Sequence, residues 1–454
     1  MHPHLISEQF VCYYHNLGFM RLVGTSLLHP SIPMTFVMSA GLAQVETALD
    51  ELGGRPAATN FVLVQNCFRH FDIDRIGSSK LHLSLFEMPG AFSFGHNQRC
   101  LTIQRMWDFL TKRLSFDPGR LWATYFSGGK IAGHLFEEDA DTQQAWQKVG
   151  LPAERIVGLG VEHNFWKQGG GIDDQGTKRK CGPNTELFFD WGFHLSCGPD
   201  CHPGCKCGRF VEFANSLFIC AEIDTQTERL SLMTEPFTET VIGAERVAML
   251  LAGQPTVFEI ETLRPLVEKL RTFYPTPENL TFFDTTENEH ILIDHVRALV
   301  FLIADGAPPP GKGGRRRLMR MLIRRVLAQM RILPITSPHC LPALIDLIIS
   351  LHGNSGPNLN SGRDTLLAYI KAELPSFDGT LSRGSRQLDQ LLAKHNGYPV
   401  EPGELVKIVK QFGIPISLLK VTLARKGVEF KEQEYLQAVE QWRYHLLSPG
   451  AANR

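Results

Sequence analysis

The pattern of hydrophobic residues changes near residue 250, and this change constrains the fold more than any other feature of the chain. Residues 1–250 mix short β-forming runs with a few helical stretches, without the regular alternation that builds a parallel sheet. Beyond about residue 255, long stretches have helical spacing and little β signal. The sequence therefore predicts an α+β domain over residues 1–250, with a mixed or antiparallel sheet, and an all-helical domain over residues 251–454.

Composition excludes some classes of partner. The 46 lysine and arginine residues nearly balance the 47 aspartate and glutamate residues, so binding to a polyanion requires a local basic cluster. The N-terminus has no secretory signal, and the longest apolar run, Ala298–Ala304, is too short to span a bilayer. We expect a cytoplasmic protein with no membrane partner, whose ten cysteines are reduced or metal-bound rather than paired.

Residues 61–95 predict a β-hairpin with a long connecting loop. β-Forming residues fill 61–71, a polar turn covers 72–80, and a second strand-like run covers 83–88. Alternation places Arg69 on one face of the first strand, and Phe86 with Met88 on one face of the second. An arginine fork binds phosphate, and a neighbouring aromatic ring offers a stacking surface for adenine. Taken alone, the segment is more simply interpreted as an ordinary β-hairpin with a surface arginine.

The second strand and its continuation, Phe86–Gly95, resemble the second signature motif of class II aminoacyl-tRNA synthetases, specifically of alanyl-tRNA synthetases. Residues 238–246 resemble the third motif, in which Arg246 opens a helix, and Thr25–Pro30 resembles the first. The resemblance extends from about residue 10 to about residue 445, and we expect no counterpart of the family's editing and C-terminal domains. It implies the class II antiparallel sheet flanked by helices, followed by a helical tRNA-recognition region. The oligomeric state stays open.

The resemblance also implies an ATP site. Arg69 would bind the α-phosphate, Arg246 the γ-phosphate end and Phe86 the adenine ring, with Met88 beside them. Mg²⁺ would bridge the phosphates. Because the amino-acid carboxylate itself attacks the α-phosphate, the catalytic residues, Arg69 and Arg246, would act by positioning and by neutralising charge.

The amino-acid pocket implied by the resemblance contains Trp166, Asn215, Glu239 and Val241. Glu239 stands where the family has an aspartate, and Val241 stands where it has a glycine. Both changes take space from the pocket, and one methylene is worth about 1–3 kcal/mol in such discrimination. Alanine is the default substrate, while glycine or another small amino acid stays open.

A basic stretch follows the first long helix of the second domain. Its predicted tRNA-binding residues are Lys312, Arg316, Arg317, Arg320 and Arg324, in a stretch without acidic residues. A solvated helix face is the alternative. The residues that read the acceptor stem in the family correspond here to Gly311 and Lys410, which cannot make the same hydrogen bonds.

Three functions fit these observations. The first is adenylation of alanine or a similar small amino acid, followed by transfer to the 3′ end of tRNA. In the second, the acceptor is a carrier protein or a metabolite instead of tRNA. The third is a non-catalytic paralogue, which the retention of Arg69, Phe86 and Arg246 argues against.

Four cysteines, Cys197, Cys201, Cys205 and Cys207, lie within eleven residues. Such density predicts a structural zinc site, with His202 and Cys181 as reserve ligands, although the spacing between the last two cysteines is tighter than usual. The glycine-rich segment 169–176 is predicted to be a loop over the active site.

Overall fold

The computed structural model of the chain divides into two compact units. The first comprises Met1–Arg75 and Ser79–Pro265, and the second comprises Ile76–Ser78 and Leu266–Arg454. Two predictions lie outside the described residues, namely the end of the first motif at His29 and Pro30 and the loop at 169–176. The structure describes residues 1–28, 42, 45, 49, 59–96, 98–168, 178–224, 226–275, 285–353, 358–395 and 400–447.

The first unit is built around β-strands. In chain order they are β1 (Met20–Arg21), β2 (Phe61–Phe68), β3 (Leu85–Phe94), β4 (Leu121–Phe126), β5 (Gly129–Ile131), β6 (His134–Phe136), β7 (Ile156–Leu159), β8 (Phe165–Lys167), β9 (Lys178–Asp190), β10 (Phe210–Asp224) and β11 (Leu230–Ile242).

Nine of the described strands form one sheet in the order β1–β2–β3–β11–β10–β9–β4–β7, with β8 paired to β9. The five strands from β2 to β9 in this order pair antiparallel, and β4 joins β9 in the same sense. The β1–β2 and β4–β7 pairs are parallel. The predicted fold class is therefore confirmed, and the sheet is mixed because of these two outer pairs.

Five described helices of the first unit pack around this sheet. They are α1 (Pro3–Asn16), α2 (Arg99–Asp108), α3 (Ala140–Lys148), α4 (Val161–Asn164) and α5 (Ala244–Leu251). In α1 the buried positions Ile6, Phe10 and Tyr14 recur at four-residue spacing, which lines one face of a helix. The Phe10 ring lies 5.2 Å from the Phe109 ring, edge to face, so α1 packs against the segment that follows α2.

The remaining described elements of the chain are helical, as predicted. The long helices are α6 (Arg264–Arg271), α7 (Thr286–Ala304), α8 (Gly314–Ile332), α9 (Cys340–His352), α10 (Arg363–His395), α11 (Pro402–Phe412), α12 (Ile416–Arg425) and α13 (Glu432–Leu447). Every residue of α7 from Glu289 to Ile303 is buried, which makes it the central helix of its unit. Gly413 ends α11 with φ +64°, a left-handed conformation that glycine adopts without strain.

Two local predictions differ from the structure. The second hairpin strand continues past Met88 to Phe94, because Pro89 and Gly90 stay within the ladder opposite Val64 and Leu63. The predicted polar turn at 72–80 begins instead within a short 3₁₀ helix, His70–Arg75. Within the described part of the chain, each helix is too short or too polar to cross a membrane.

Candidate active site

A cavity of about 290 Å³ opens on the first unit where β3, β10 and β11 meet the start of α5. Six of the eight residues predicted to hold ATP or the amino acid line it: Arg69, Phe86, Met88, Asn215, Val241 and Arg246. Four separate segments of the chain supply these side chains. The fold thus brings all four predicted ATP-binding residues and two of the four predicted amino-acid-binding residues to one cavity.

Arg69 follows the last residue of β2 and keeps the pairing of the hairpin, since its N–H donates to Ser84 O at 2.8 Å. The register sets Cys67 opposite Phe86, so the arginine and the phenylalanine project from neighbouring positions. The guanidinium carbon of Arg69 lies 5.0 Å from the centre of the Phe86 ring and 5.9 Å from that of Phe71. Such cation–π contacts hold the arginine at the cavity wall.

Arg246 lies in the first turn of α5, opposite the hairpin. Its Nη1 donates to Glu212 O at 2.6 Å and lies 3.5 Å from Glu212 Oε2. The neighbouring Glu245 is buried, and both its carboxylate oxygens lie 3.1 Å from the N–H of Glu87 on β3. This bond to a charged acceptor fixes the start of α5 against the strand that carries Phe86.

The predicted amino-acid residues separate into two groups. Asn215 lies opposite Val241 in the β10–β11 ladder, and both line the cavity. Glu239 is only 3% exposed and lies deeper in the sheet, opposite Leu217 and Phe92. Trp166 packs against the hydrophobic cluster that contains Leu217 and Phe92. Glu239 and Trp166 are therefore not part of the cavity lining formed by the described residues.

Sequence reasoning missed several polar groups at the cavity. Asp72, Arg75 and His82 come from the loop of the hairpin, and Glu212 comes from β10. Burial, reinforced by the charges of Arg246, Arg75 and Arg69, lowers the pKa of His82 to about 3. Its Nδ1 lies 2.6 Å from Ser79 Oγ. The density of charged residues between the two strands was the available signal, but it fits a solvated turn equally well.

Glu186 on β9 was also missed. Its Oε1 lies 3.4 Å from the side-chain nitrogens of Asn184 and Asn215. Burial and the nearby Glu212 carboxylate raise the pKa of Glu186 to about 9. It is therefore a neutral carboxylic acid at pH 7, next to a residue of the predicted amino-acid pocket.

Of the predicted tRNA-binding residues, Lys312 lies two residues before α8 and the other four lie within it. Lys312, Arg316 and Arg317 are exposed. Arg324 Nε donates to the buried Glu373 of α10 at 2.7 Å, and Arg320 Nε lies 3.5 Å from the same carboxylate. Two of the five predicted cations thus have an acidic partner that the local sequence does not contain.

Gly311 is buried and packs closely against Arg316. A Cβ atom at residue 311 would lie 2.5 Å from Arg316 Nε and 3.1 Å from Arg316 Cβ. Side-chain atoms do not approach so closely, so this site accepts only glycine while Arg316 keeps its position. Lys410 lies in the last turn of α11.

The four clustered cysteines converge in the loop between β9 and β10. The sulfur atoms of Cys197, Cys201 and Cys205 lie within 4.8 Å of one another, and Cys207 Sγ lies 3.6 Å from Cys201 Sγ. The reserve ligands fit less well. Nδ1 of His202 accepts a bond from Gly204 N–H at 3.0 Å, and Cys181 is buried within β9. The donor set that fits zinc is therefore four thiolates.

Comparison with known proteins identifies the family. A family model described as tRNA synthetases class II (A) matches residues 5–446. The chain belongs to this family. The chain is 30% identical over 453 residues to the alanine–tRNA ligase of Thermoanaerobacter sp. strain X514, covering 98% of the chain and 48% of the relative. It is 29% identical over 446 residues to the alanine–tRNA ligase of Clostridioides difficile strain 630, covering 96% and 47%.

The chain thus spans about half the length of the curated relatives it matches. Among solved structures, the apo histidyl-tRNA synthetase of S. aureus is 12% identical and covers 59% of this chain and 75% of its own, with a TM-score of 0.33.

Proposed function

We propose that the chain activates alanine, or a similarly small amino acid, with ATP and transfers it from the aminoacyl adenylate to the 3′ end of tRNA. The observation that carries this proposal is the cavity in which Arg69, Phe86 and Arg246 converge from three separate elements. Their family roles require this convergence, because one nucleotide must reach all three side chains at once. The alanine–tRNA ligases among the relatives support tRNA, rather than a carrier protein or metabolite, as the acceptor.

In this proposal the protein promotes adenylation by positioning the phosphates of ATP and neutralising their negative charge. Arg69 holds the α-phosphate and Arg246 the γ-phosphate end, while the Phe86 ring and Met88 support adenine. The negative charge that develops on the phosphate oxygens is met by these fixed guanidinium groups. No side chain needs to act as a nucleophile, since the substrate carboxylate attacks phosphorus in line.

Magnesium and zinc complete the proposed cofactors. Mg²⁺ takes oxygen ligands and keeps several waters, and the Glu212 carboxylate at the cavity wall suits it. When bound, Mg²⁺ neutralises phosphate charge. A structural zinc ion is proposed at Cys197, Cys201, Cys205 and Cys207.

The proposal assigns a separate role to each of the two predicted domains. Residues 1–250 perform adenylation, and residues 251–454 bind tRNA through Lys312, Arg316, Arg317, Arg320 and Arg324. Asn215 and Val241 contact the amino acid directly, and Glu239 with Trp166 supports the pocket from behind. A cytoplasmic location follows from this function as a prediction.

The first test is amino-acid-dependent exchange of pyrophosphate into ATP over a panel of small amino acids, with and without bulk tRNA. We expect exchange with alanine or glycine, loss of exchange in Arg69→Ala, and full exchange in the control Arg229→Ala, which changes an exposed arginine between β10 and β11. Near-normal exchange in folded Arg69→Ala protein would refute the assignment. Formation of acid-precipitable aminoacyl-tRNA then tests the second step.

A further inference from the structure

The cysteine cluster and the active-site cavity share a strand. The loop 191–209 carries the four cysteines, and β10 begins directly after it at Phe210. Glu212 and Asn215, which line the cavity, follow Cys207 by five and eight residues along the chain. A ligand bound in the loop is therefore close, along the backbone, to the cavity wall.

The sulfur atoms are close enough together to suit a tetrahedral metal site. Sulfurs bound at about 2.3 Å to zinc lie about 3.8 Å apart. The Cys201–Cys207 distance of 3.6 Å is near this value, and the sulfurs of Cys197, Cys201 and Cys205 lie within 4.8 Å of one another. In addition, His202 N–H points at Cys205 Sγ across 3.5 Å, a contact that favours a thiolate.

The base of the loop is rigid. Arg209 Nε and Nη2 donate to the two carboxylate oxygens of Asp190 at 2.8 and 2.7 Å. Trp191 N–H donates to Arg209 O at 2.9 Å, which closes the loop with a backbone bond. Arg209 is 9% exposed, and its guanidinium carbon lies 4.6 Å from the centre of the Phe210 ring. These contacts transmit the position of the loop to the first residue of β10.

The pairing of β10 with β9 is interrupted just beyond the cysteine loop. β10 pairs with β9 from Phe210 to Glu212, and the register then shifts between Glu212 and Ala214. At a bulge the ladder bonds are interrupted, so the strand is fixed by what holds it on either side. The cysteine loop is the part that holds the segment before the bulge.

We propose that a zinc ion bound by Cys197, Cys201, Cys205 and Cys207 positions the start of β10, and through it Glu212 and Asn215, in the adenylation site; this inference rests on the proposed function. The thiolates take no part in the reaction. They are positioning residues, and loss of the metal would let the Glu212 segment shift against β9. Arg246 would lose its anchor as well, since its Nη1 donates to Glu212 O.

The test combines metal content with a local optical signal. Two of the six tryptophans lie at the loop, since Trp122 packs against Phe188, Cys201 and Phe210 and Trp191 begins the loop, so part of the tryptophan emission reports on the loop independently of catalysis. Zinc is measured in protein purified without chelator, and Co²⁺ is then substituted to give the absorption of a tetrahedral cobalt–thiolate site.

Three variants are compared with the wild type. Cys201→Ser removes a buried ligand, Cys197→Ser removes an exposed one, and Cys12→Ser is the control at an exposed cysteine outside the loop.

We expect about one zinc per chain in the wild type and in Cys12→Ser, and loss of zinc in both ligand variants. Metal-free protein should show shifted tryptophan emission and a KM for ATP raised about tenfold, with kcat changed less and the unfolding transition retained. If Cys201→Ser does not fold, Cys197→Ser gives the same readings.

Two outcomes overturn the inference. Less than about half an equivalent of zinc together with no cobalt spectrum would exclude the metal site. Unchanged emission and an unchanged KM in metal-free protein would exclude the positioning role. If metal and fluorescence behave as expected but the wild type shows no exchange, the metal centre stands and the proposed function fails.

Discussion

Glu186 has a neutral carboxyl group at pH 7 because burial and Glu212 raise its pKa to about 9. In the unfolded chain the same group ionises near pH 4.5. Between these values the folded state binds the extra proton, so its stability falls as the pH rises through this window. Below pH 4.5 both states are protonated and the effect disappears.

Glu186→Gln should therefore stabilise the protein increasingly from pH 5 to pH 9, because glutamine keeps the shape and never ionises. The melting temperature should rise by a few degrees at pH 8.5 and hardly at all at pH 5. Thermal unfolding across this range checks it, with the exposed Glu154→Gln as control. Parallel pH profiles for wild type and Glu186→Gln would contradict the prediction.

Val241 is the residue through which β11 narrows the cavity, and it lies opposite Asn215. Val241→Gly should enlarge the amino-acid pocket and shift preference from glycine towards alanine and serine. Three carbon atoms are removed, and even one methylene is worth about 1–3 kcal/mol, so we expect at least about a tenfold change in the ratio of kcat/KM values. Pyrophosphate exchange measures this ratio. An unchanged ratio would place Val241 outside the pocket, and an unchanged KM for ATP is the control for general damage.

At the scale of elements, the β9–β10 pair depends on one close approach. A Cβ atom at Gly182 would lie 2.0 Å from Phe218 O and 2.9 Å from Phe218 C, both backbone atoms that cannot rotate away. Gly182→Ala should lower the free energy of unfolding by roughly 2–3 kcal/mol, as overpacking does. Gly160→Ala is the matched control, because a Cβ atom there meets no atom within 4 Å. Denaturant unfolding compares the two, and equal stabilities would refute the clash.

How far the sequence predicted the elements depended on the range of the interactions. The hairpin that presents Arg69 and Phe86 was predictable because alternation along two adjacent strands is a local signal. The convergence of Asn215 and Arg246 on the same cavity was predicted only through the family resemblance, since pairing between distant strands leaves no local pattern.

The acidic partner of Arg324 could not be predicted from the sequence, because Glu373 lies 49 residues further along the chain and on another helix. Glu239 was placed in the pocket by its motif, and the structure sets it opposite Leu217 and Phe92, outside the cavity lining formed by the described residues.

At the scale of the whole molecule, the net charge of −1 at pH 7 does not attract tRNA. The chain carries 46 basic and 47 acidic residues, so affinity for phosphate depends on local cations such as those at the start of α8. Arg320 and Arg324 already neutralise Glu373, whereas Lys312, Arg316 and Arg317 are exposed. The two groups should therefore contribute differently to binding.

Replacing Lys312 and Arg317 by glutamine should weaken binding of bulk tRNA and reduce the dependence of log K on log salt by about one unit for each phosphate that is no longer neutralised. Arg320→Gln should change this slope less, because its charge is compensated in part by Glu373, which it shares with Arg324. Fluorescence anisotropy over a series of KCl concentrations measures both. A slope that falls equally in all variants would show that the ion pairs open when tRNA binds.

The close packing of Gly311 against Arg316 has a consequence for how this chain can change by mutation. Any side chain at residue 311 would collide with Arg316 unless that side chain moved first. A shorter side chain at residue 316 would remove the Nε atom that a Cβ atom at residue 311 approaches to 2.5 Å. The two positions are thus coupled, because a side chain at residue 311 requires the side chain at residue 316 to move or to be shorter.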